Sequence, residues 1–242
     1  MAASDFVILG ETHDNPEHHI KQAEIIAAIK PAAVVYEMLT PEQAILVTPE
    51  RAAQPKVLRD VLNWDASGWP DFSLYAPVFA AYPPARVFGA QVPRHAAREV
   101  LSKGLAAVFG PGAADYGLTE ALPEQQQQTR EAMQMAAHCD ALPVEMLPGM
   151  VAIQRLRDAT LAQWAVRAYR EAGAPVVIIT GNGHARRDWG IPVYLARVLP
   201  EATLFVLGQA EDGAVPDGGF DAVLSAPAAE RDDPCRAFRA SD

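Results

Sequence analysis

Six apolar segments recur along the chain, and in the clearest of them the hydrophobic residues are continuous instead of alternating with polar ones. They lie at residues 5–10, 32–38, 85–91, 174–180, 202–209 and 220–226. A strand with one face in water would alternate, whereas an unbroken run such as "FVIL" is typical of a strand covered on both faces. The pattern therefore predicts six strands, most of them in the interior of a sheet.

Helical patterns separate several of these strands, near residues 16–30, 41–47, 72–82, 93–103, 124–139 and 149–172. In the first of them, Asn15 or Asp14 can cap the helix, Pro16 suits its first turn and Pro31 ends it. Alternating strands and helices predict right-handed crossovers and an α/β fold, with a mostly parallel sheet flanked by helices on both faces. Residues 104–148 contain no convincing strand, and we expect a helical insertion or cap there within a single domain, 1–242.

Composition limits the classes of function. The chain has 242 residues, half of them apolar, which is enough to bury one sizeable core. Its formal net charge of −10, without a dense Lys/Arg tract, argues against a nucleic-acid partner. The longest apolar stretches fall short of the roughly 20 residues that a membrane helix needs.

The N-terminus and the two cysteines bear on the cellular compartment. The first strand begins at once, which leaves no room for a signal peptide, so we expect either a cytoplasmic protein or a chain whose leader has been removed. Cys139 and Cys235 have no CxxC spacing. Free buried thiols are the expected state in a cytosolic chain, whereas in an exported chain a disulfide tying down the C-terminal tail is the better interpretation.

Polar residues follow four of the predicted strands. Because ligands of open α/β sheets bind beyond the carboxyl ends of the strands, we expect these residues to face one crevice. The first and fourth strands also share a pattern in which a glycine precedes a histidine by three residues, and glycine lets the backbone turn sharply or approach a ligand. The strand-end residues are Gly10, Glu11 and His13; Glu37; Gln91, Arg94 and His95; and Gly181, Asn182, Gly183 and His184.

Two helices carry further polar candidates. His18 shares a helix face with Gln22, which would place it either at the rim of the crevice or in packing against the helix. Arg157 and Asp158 interrupt an apolar helical pattern, and we expect them to form a structural ion pair.

Several motifs occur in an order that resembles the ChaN-like haem-binding uptake family, which is grouped with the Tiki, TraB and erythromycin-esterase proteins. The resemblance extends from residue 5 to "DDPC" near residue 235, and its signature is the pair of GxxH motifs, GETH and GNGH. The other stretches that carry it are "VVYEM", "WDASGWPDFSLYAPVF", "QVPRHAAREV" and "QRLRDATLAQW".

This resemblance implies a haem-binding protein of iron uptake, in which a tyrosine ligates iron at a dimer interface. Tyr75 is the first choice of ligand, with Tyr82 and Tyr116 as alternatives, in an apolar slot supplied by residues 64–82. Proteins of this type are described as membrane-anchored lipoproteins, and this chain shows no lipobox cysteine near its start. We therefore expect the cell envelope if an anchor or leader was removed, and otherwise the cytoplasm. Cations or polar groups for the propionates and ring would be Arg94, His95, Arg186, Arg187 and His18.

The same crevice also supports a hydrolase, as in the esterase-like relatives. His13 would act as general base oriented by Glu11 or Glu37. His184, aided by Arg187, would stabilise an oxyanion or share the proton work. A divalent metal would be held by His13, Glu37 and His184, although no HExxH motif supports this, and no GxSxG elbow indicates a serine nucleophile. A third interpretation is a binding module for a small polar ligand.

Overall fold

A computed structural model describes residues 1, 3–233 and 235–236. The chain divides into two compact units, which are described separately. The first consists of residues 1–91 with 158–229, and the second of residues 92–157 with the chain from residue 230 onward. The stretch 104–148 lies within the second unit.

The first unit is built on a six-stranded sheet whose strands all pair in parallel, in the order β3-β2-β4-β1-β5-β6. This confirms the predicted α/β fold, and every strand lies within two residues of its predicted bounds. The strands are β1 (Phe6–Leu9), β2 (Ala33–Tyr36), β3 (Arg86–Gly89), β4 (Val176–Ile179), β5 (Leu204–Glu211) and β6 (Ala222–Ala226).

The helices predicted from periodicity are present, and among the described residues the sequence pattern missed five others. The missed helices have eight residues or fewer, too short for a 3.6-residue period to be visible. In chain order the helices are α1 (Pro16–Ile29), α2 (Pro41–Ala44), α3 (Pro49–Ala52), α4 (Pro55–Val61), α5 (Phe72–Ala80), α6 (Arg94–Lys103), α7 (Leu105–Phe109), α8 (Glu124–Ala137), α9 (Leu147–Ala172), α10 (Asn182–Ala185) and α11 (Ile191–Val198), with 3-10 turns at Trp64–Ala66 and Val144–Met146.

The core lies around the two central strands. Every residue of β1 and β4 is fully buried, as their continuous apolar runs predict. Side chains alternate between the faces of a strand, so Val7 and Leu9 share a face with Val177 and Ile179 of the register-paired β4. This face is covered by side chains of α1 and α5, namely Ile26, Phe72, Tyr75, Val78 and Phe79.

The start of α1 fixes which side chains turn inward. Asn15 is its N-cap, and its side chain accepts hydrogen bonds from the backbone N–H groups of Glu17 at 3.0 Å and His18 at 3.4 Å, as the sequence predicts. The helix ends at Ile29, where Lys30 takes a left-handed conformation with φ of 53°. With its register set in this way, α1 buries His18, His19 and Gln22.

The second unit contains a disulfide between Cys139 and Cys235. Of the two states that the sequence left open, the structure has the disulfide expected for an exported chain and not the free thiols expected for a cytosolic one. The two Cα atoms lie 5.5 Å apart, within the range for a disulfide, although 96 residues separate them in sequence. Within the described residues, no helix is long and apolar enough to cross a bilayer.

Candidate functional site

The carboxyl ends of β1, β2 and β4 bring together the polar residues of the first unit. The strand β4 is inserted between β2 and β1, so the segments following β1 and β4 leave the sheet side by side. Glu11 and His13 follow β1, Glu37 follows β2, and His184 follows β4. The predicted crevice is therefore assembled at a point where the strand order changes direction, a common ligand site of α/β folds.

Glu11 is the centre of the hydrogen-bond network. One oxygen accepts from His13 Nδ1 at 2.8 Å and from the Tyr75 hydroxyl at 3.0 Å, and the other accepts from Gln22 Nε2 at 2.7 Å. Burial raises the pKa of this carboxyl, but the bond to His13, the charges of His19 and His13 and the bond to Gln22 outweigh it and lower the pKa below its usual value. Glu11 is thus a buried carboxylate whose two oxygens already accept hydrogen bonds from His13, Tyr75 and Gln22.

His13 is the more exposed partner, with 37% of its side chain accessible. Burial favours the neutral ring, but the hydrogen bond with Glu11 and the charges of Glu37, Glu11 and Asp14 prevail and raise the pKa of His13 to about 9. At neutral pH the free protein therefore holds an imidazolium here. A general base must be unprotonated, so the expected role of His13 as a general base does not suit this environment below about pH 9.

The two GxxH motifs pack so closely against each other that their first positions require glycine. A Cβ on Gly181 would lie 3.0 Å from both Cε1 and Nε2 of His13, tighter than ordinary packing. Reciprocally, a Cβ on Gly10 would collide with the side-chain oxygen of Asn182. Each motif thus packs against the other, and a backbone bond from Asn182 N to Glu11 O at 2.9 Å joins them.

His184 lies between two carboxylates. Its Nδ1 is 2.6 Å from Oδ1 of Asp158 on α9, and its Nε2 is 3.5 Å from Oε1 of Glu37. The other oxygen of Glu37 accepts from the Thr180 hydroxyl at 2.7 Å and from Gly181 N at 2.9 Å. Burial raises the pKa of Glu37, but the charges of His184 and His13 and these two hydrogen bonds together lower it.

Asp158 lies in the site, although the sequence predicted only a structural ion pair for it. It was expected to pair with its neighbour Arg157, yet its carboxylate contacts His184, 26 residues away. Adjacent helix residues do not face each other, and that rule could have raised doubt about the predicted ion pair. Nothing local in the sequence indicates His184 as the partner.

Comparison with known proteins assigns the chain to a family. Residues 1–195 match the family model described as "Haem-binding uptake, Tiki superfamily, ChaN". The chain belongs to this ChaN family. The resemblance expected from the two GxxH motifs is thereby confirmed.

One solved structure shares the fold of this ChaN-family chain. A structure described as "Cofacial heme binding to ChaN of Campylobacter jejuni" superposes with a TM-score of 0.62 at 18% identity, covering 92% of this chain and 87% of that one. The type III effector HopBA1 matches with a TM-score of 0.49 at 12% identity, over 93% of this chain and 89% of that one. No curated protein matches the sequence significantly.

Tyr75, the first choice of iron ligand, lies in the interior of the ChaN-family fold. Its side chain is fully buried, its hydroxyl donates to Glu11, and its ring packs on His19 with centroids 4.2 Å apart. Burial and the neighbouring charge of Glu11 raise the pKa of Tyr75 far above its usual value, which opposes the tyrosinate that ferric iron prefers. This position does not support ligation by Tyr75. Of the alternatives, Tyr82 is half-buried and Tyr116 belongs to the second unit.

His18 is a structural residue and not a cofactor ligand, contrary to the sequence expectation. The Thr12 N–H donates to its Nδ1 at 3.0 Å, which leaves Nε2 to donate to Ala210 O at 3.2 Å. Burial lowers the pKa of His18, in agreement with a neutral ring. Because both ring nitrogens are bonded to backbone, neither is open to iron.

The expected cations for haem propionates belong to two different units, and those of the first unit are paired with carboxylates. Arg187 pairs with Asp221 and donates to Leu204 O, at the amino ends of β6 and β5, so it cannot assist His184 at the opposite end of the sheet. Arg186 is buried and pairs with Asp188 at 2.6 Å. Arg94 and His95 open α6 in the second unit and are exposed, and their role stays a prediction.

The three-ligand metal set also does not form. In the part of the chain that the structure describes, no group of three His, Cys, Asp or Glu side chains is arranged to hold a metal ion. Glu37 and His184 face each other directly, and the remaining nitrogen of His184 is taken by Asp158. His13, Glu37 and His184 are neighbours in one network, but their donor atoms do not converge on one position.

Proposed function

We propose that this chain binds haem and acts in haem or iron uptake. The observation that carries the proposal is the family match over residues 1–195 of the 242-residue chain. The residues at the crevice suit such a ligand: the half-exposed ring of Trp69 stands edge-on to His13, with centroids 4.9 Å apart. An exposed aromatic side chain next to a nitrogen donor is a surface on which a porphyrin can pack.

We further propose that the protein works in the cell envelope and forms a dimer when it binds haem. The disulfide between Cys139 and Cys235 supports an oxidising compartment, because structural disulfides are rare in the reducing cytosol. The structure named for ChaN of Campylobacter jejuni is described as binding haem cofacially, which motivates a measurement of oligomeric state in this chain.

A hemin titration of the purified chain tests the haem proposal. We expect saturable binding with a defined stoichiometry and a Soret band distinct from that of free hemin, accompanied by a change in sedimentation coefficient if dimers form. Binding that rises without saturation, as for hemin adsorbed non-specifically to protein, would reject specific haem binding. A saturated complex that sediments as a monomer would reject only the dimer.

A second candidate function, hydrolysis, is favoured by the contact between His184 and Asp158. The carboxylate holds the Nδ1 proton of His184 and leaves Nε2, 3.5 Å from Glu37 Oε1, as the nitrogen that would accept a proton, as in acid–base dyads of hydrolases. With His184 as the base, the imidazolium of His13 could stabilise developing negative charge. The sequence predicted His13 as the base and offered His184 a share of the proton work, and the raised pKa of His13 favours His184 as the base.

Hydrolysis is tested with chromogenic esters and a peptide library, using wild type, Asp158→Asn and, as a matched control from the second unit, His138→Ala. We expect the asparagine variant to lose on the order of 100-fold or more in kcat, because the positioned base is lost. Turnover that is absent in wild type, or unchanged in the asparagine variant, would reject this candidate.

A further inference from the structure

We propose that the second unit carries a docking surface for an anionic lipid bilayer, formed by Arg94, Arg98 and Leu101 of α6 and by Val144 and Met146 just before α9. This α6 surface combines exposed apolar side chains with cations that have no partner in the described chain. It acts as a peripheral contact, through side chains alone, and does not depend on haem binding.

The apolar part of the α6 surface consists of three side chains that water reaches. Leu101 is 56% exposed, Val144 68% and Met146 41%. A single exposed apolar residue is ordinary on a protein surface, whereas apolar side chains that lie together mark sites of contact with a protein or a membrane. The question is therefore whether these three are neighbours in the fold.

Leu101 packs against the first turn of α9. A Cβ on Gly149 would collide with Cδ2 of Leu101, so the leucine side chain lies directly over the glycine. The 3-10 turn Val144–Met146 runs straight into α9 at Leu147, and Met146 precedes Gly149 by three residues, about one helical turn. The exposed apolar side chains of α6 and of the turn before α9 are therefore neighbours within the second unit.

Two arginines extend this patch along α6. Arg94, Arg98 and Leu101 have the spacing i, i+4 and i+7, which places them on one side of the helix. Both arginines are exposed, and among the described residues neither forms an ion pair or a side-chain hydrogen bond. By contrast, Lys103 of the same helix pairs with Glu99 at 3.1 Å. Two cations without a carboxylate partner thus lie beside the apolar side chains.

An anionic bilayer complements this combination of groups. Apolar side chains of an interfacial helix enter the boundary of the acyl chains, while neighbouring basic side chains are attracted to the negative headgroups. The aliphatic stems of the arginines can lie along the apolar patch while their guanidinium groups stay in the headgroup layer. Since the chain as a whole carries a net charge of −10, an anionic surface repels most of it, and the α6 surface is the face whose charge is complementary.

Glu145 opposes the proposed contact and thereby provides a sharp test of it. This exposed residue lies between Val144 and Met146 and has no ion-pair partner among the described residues. Anionic headgroups repel its carboxylate, so Glu145→Gln is expected to strengthen binding to an anionic bilayer. A substitution that merely disturbed the local fold would weaken binding instead.

The test is co-sedimentation of the full chain, free of hemin, with vesicles of phosphatidylcholine alone or of phosphatidylcholine and phosphatidylglycerol in equal parts. We expect binding to the anionic vesicles that weakens as the salt concentration rises. Arg94→Gln/Arg98→Gln should weaken this binding by about tenfold or more, because each cation near the headgroups contributes to it. Leu101→Ser/Met146→Ser should weaken it as well, by removing the apolar groups that enter the bilayer.

Matched control variants come from the first unit. Lys56→Gln/Arg170→Gln removes two exposed cations that have no ion pair among the described residues. Ile45→Ser removes an apolar side chain that is 78% exposed. Both controls should bind vesicles as the wild type does, since neither touches the α6 surface, and circular dichroism of every variant checks that the fold is intact.

Several results would overturn the proposal. A wild type that does not bind anionic vesicles, or that binds neutral ones equally, has no such surface, and an equal loss in the first-unit controls would mean unspecific attraction. Self-association of the wild type without vesicles, abolished by Leu101→Ser/Met146→Ser, would assign the patch to a second copy of the chain instead. If the arginine variant does not fold, Glu145→Gln decides, and unchanged binding in that variant contradicts the proposal. A chain that binds hemin but not vesicles loses only this proposal and keeps the haem function.

Discussion

Gly181 lies against the ring of His13, so close that a Cβ on the glycine would be 3.0 Å from Nε2. Because Gly181 has no side chain, the ring of His13 can pack directly against its backbone. Gly181 and His13 are 168 residues apart in the sequence (181 − 13). The two motifs pack together in the fold because β1 and β4 are adjacent and parallel.

Replacement of Gly181 by alanine is expected to destabilise the protein by roughly 1–3 kcal/mol, since an extra methyl in a tight contact forces its neighbours to shift. The measurement is urea unfolding monitored by tryptophan fluorescence. Gly183→Ala is the control, because a Cβ there would meet nothing within 4 Å. Equal effects of the two substitutions would contradict the proposed contact.

The pH dependence of stability should reflect the Glu11–His13 pair. The folded-state pKa of His13 is raised to about 9, above the ordinary value of 6.5. The contribution of the His13 charge is therefore fully present below about pH 6.5 and is lost as the pH rises towards 9. An NMR titration of the His13 ring in the free protein measures the pKa directly.

Glu11→Gln checks the cause of that shift. Removal of the carboxylate leaves burial, which lowers the pKa of His13, so we expect the titration midpoint to fall by more than one unit. A midpoint that stays near 9 in the glutamine variant would show that Glu11 does not hold the proton on the ring.

Tyr75→Phe distinguishes a structural tyrosine from an iron ligand. We expect a loss of about 1.5–3 kcal/mol in unfolding free energy, since the hydroxyl donates to a buried carboxylate. Hemin affinity and the spectrum of the complex should be unchanged. A loss of the complex with the fold intact would restore Tyr75 as the ligand implied by the family resemblance.

Asp158→Asn should destabilise the protein more than Arg157→Gln does. Asp158 is buried and charged, and its hydrogen bond to His184 is worth about 1–3 kcal/mol when one partner is removed. Chemical denaturation of both variants makes the comparison. A larger effect at Arg157 would favour the ion pair predicted from the sequence.

The disulfide should stabilise the second unit. Joining residues 96 apart restricts the unfolded chain, and its removal typically costs about 2–4 kcal/mol. We expect a Cys139→Ser/Cys235→Ser variant to unfold at lower denaturant concentration, and thiol reagents to label the wild type only after reduction. Rapid labelling of the native, unreduced protein would contradict the pairing.

The strands, the sheet class and the family could be predicted from the sequence. Buried parallel strands need continuous apolar runs, and those runs located all six strands within two residues. Strand ends are local features, so Glu11, His13, Glu37 and His184 could be recognised as residues of one crevice. The two glycines were recognised because backbone approach requires them wherever they occur.

The contacts that each of these residues makes could not be predicted in the same way. Tyr75 meets Glu11 across 64 positions of sequence and His184 meets Asp158 across 26, and such contacts depend on helix packing that no local pattern encodes. The protonation state of His13 likewise could not be predicted from the sequence, because its pKa depends on burial and on the charges nearby. Partners and burial separate the structural histidine, His18, whose ring bonds to the backbone of Thr12 and Ala210, from the accessible one, His13.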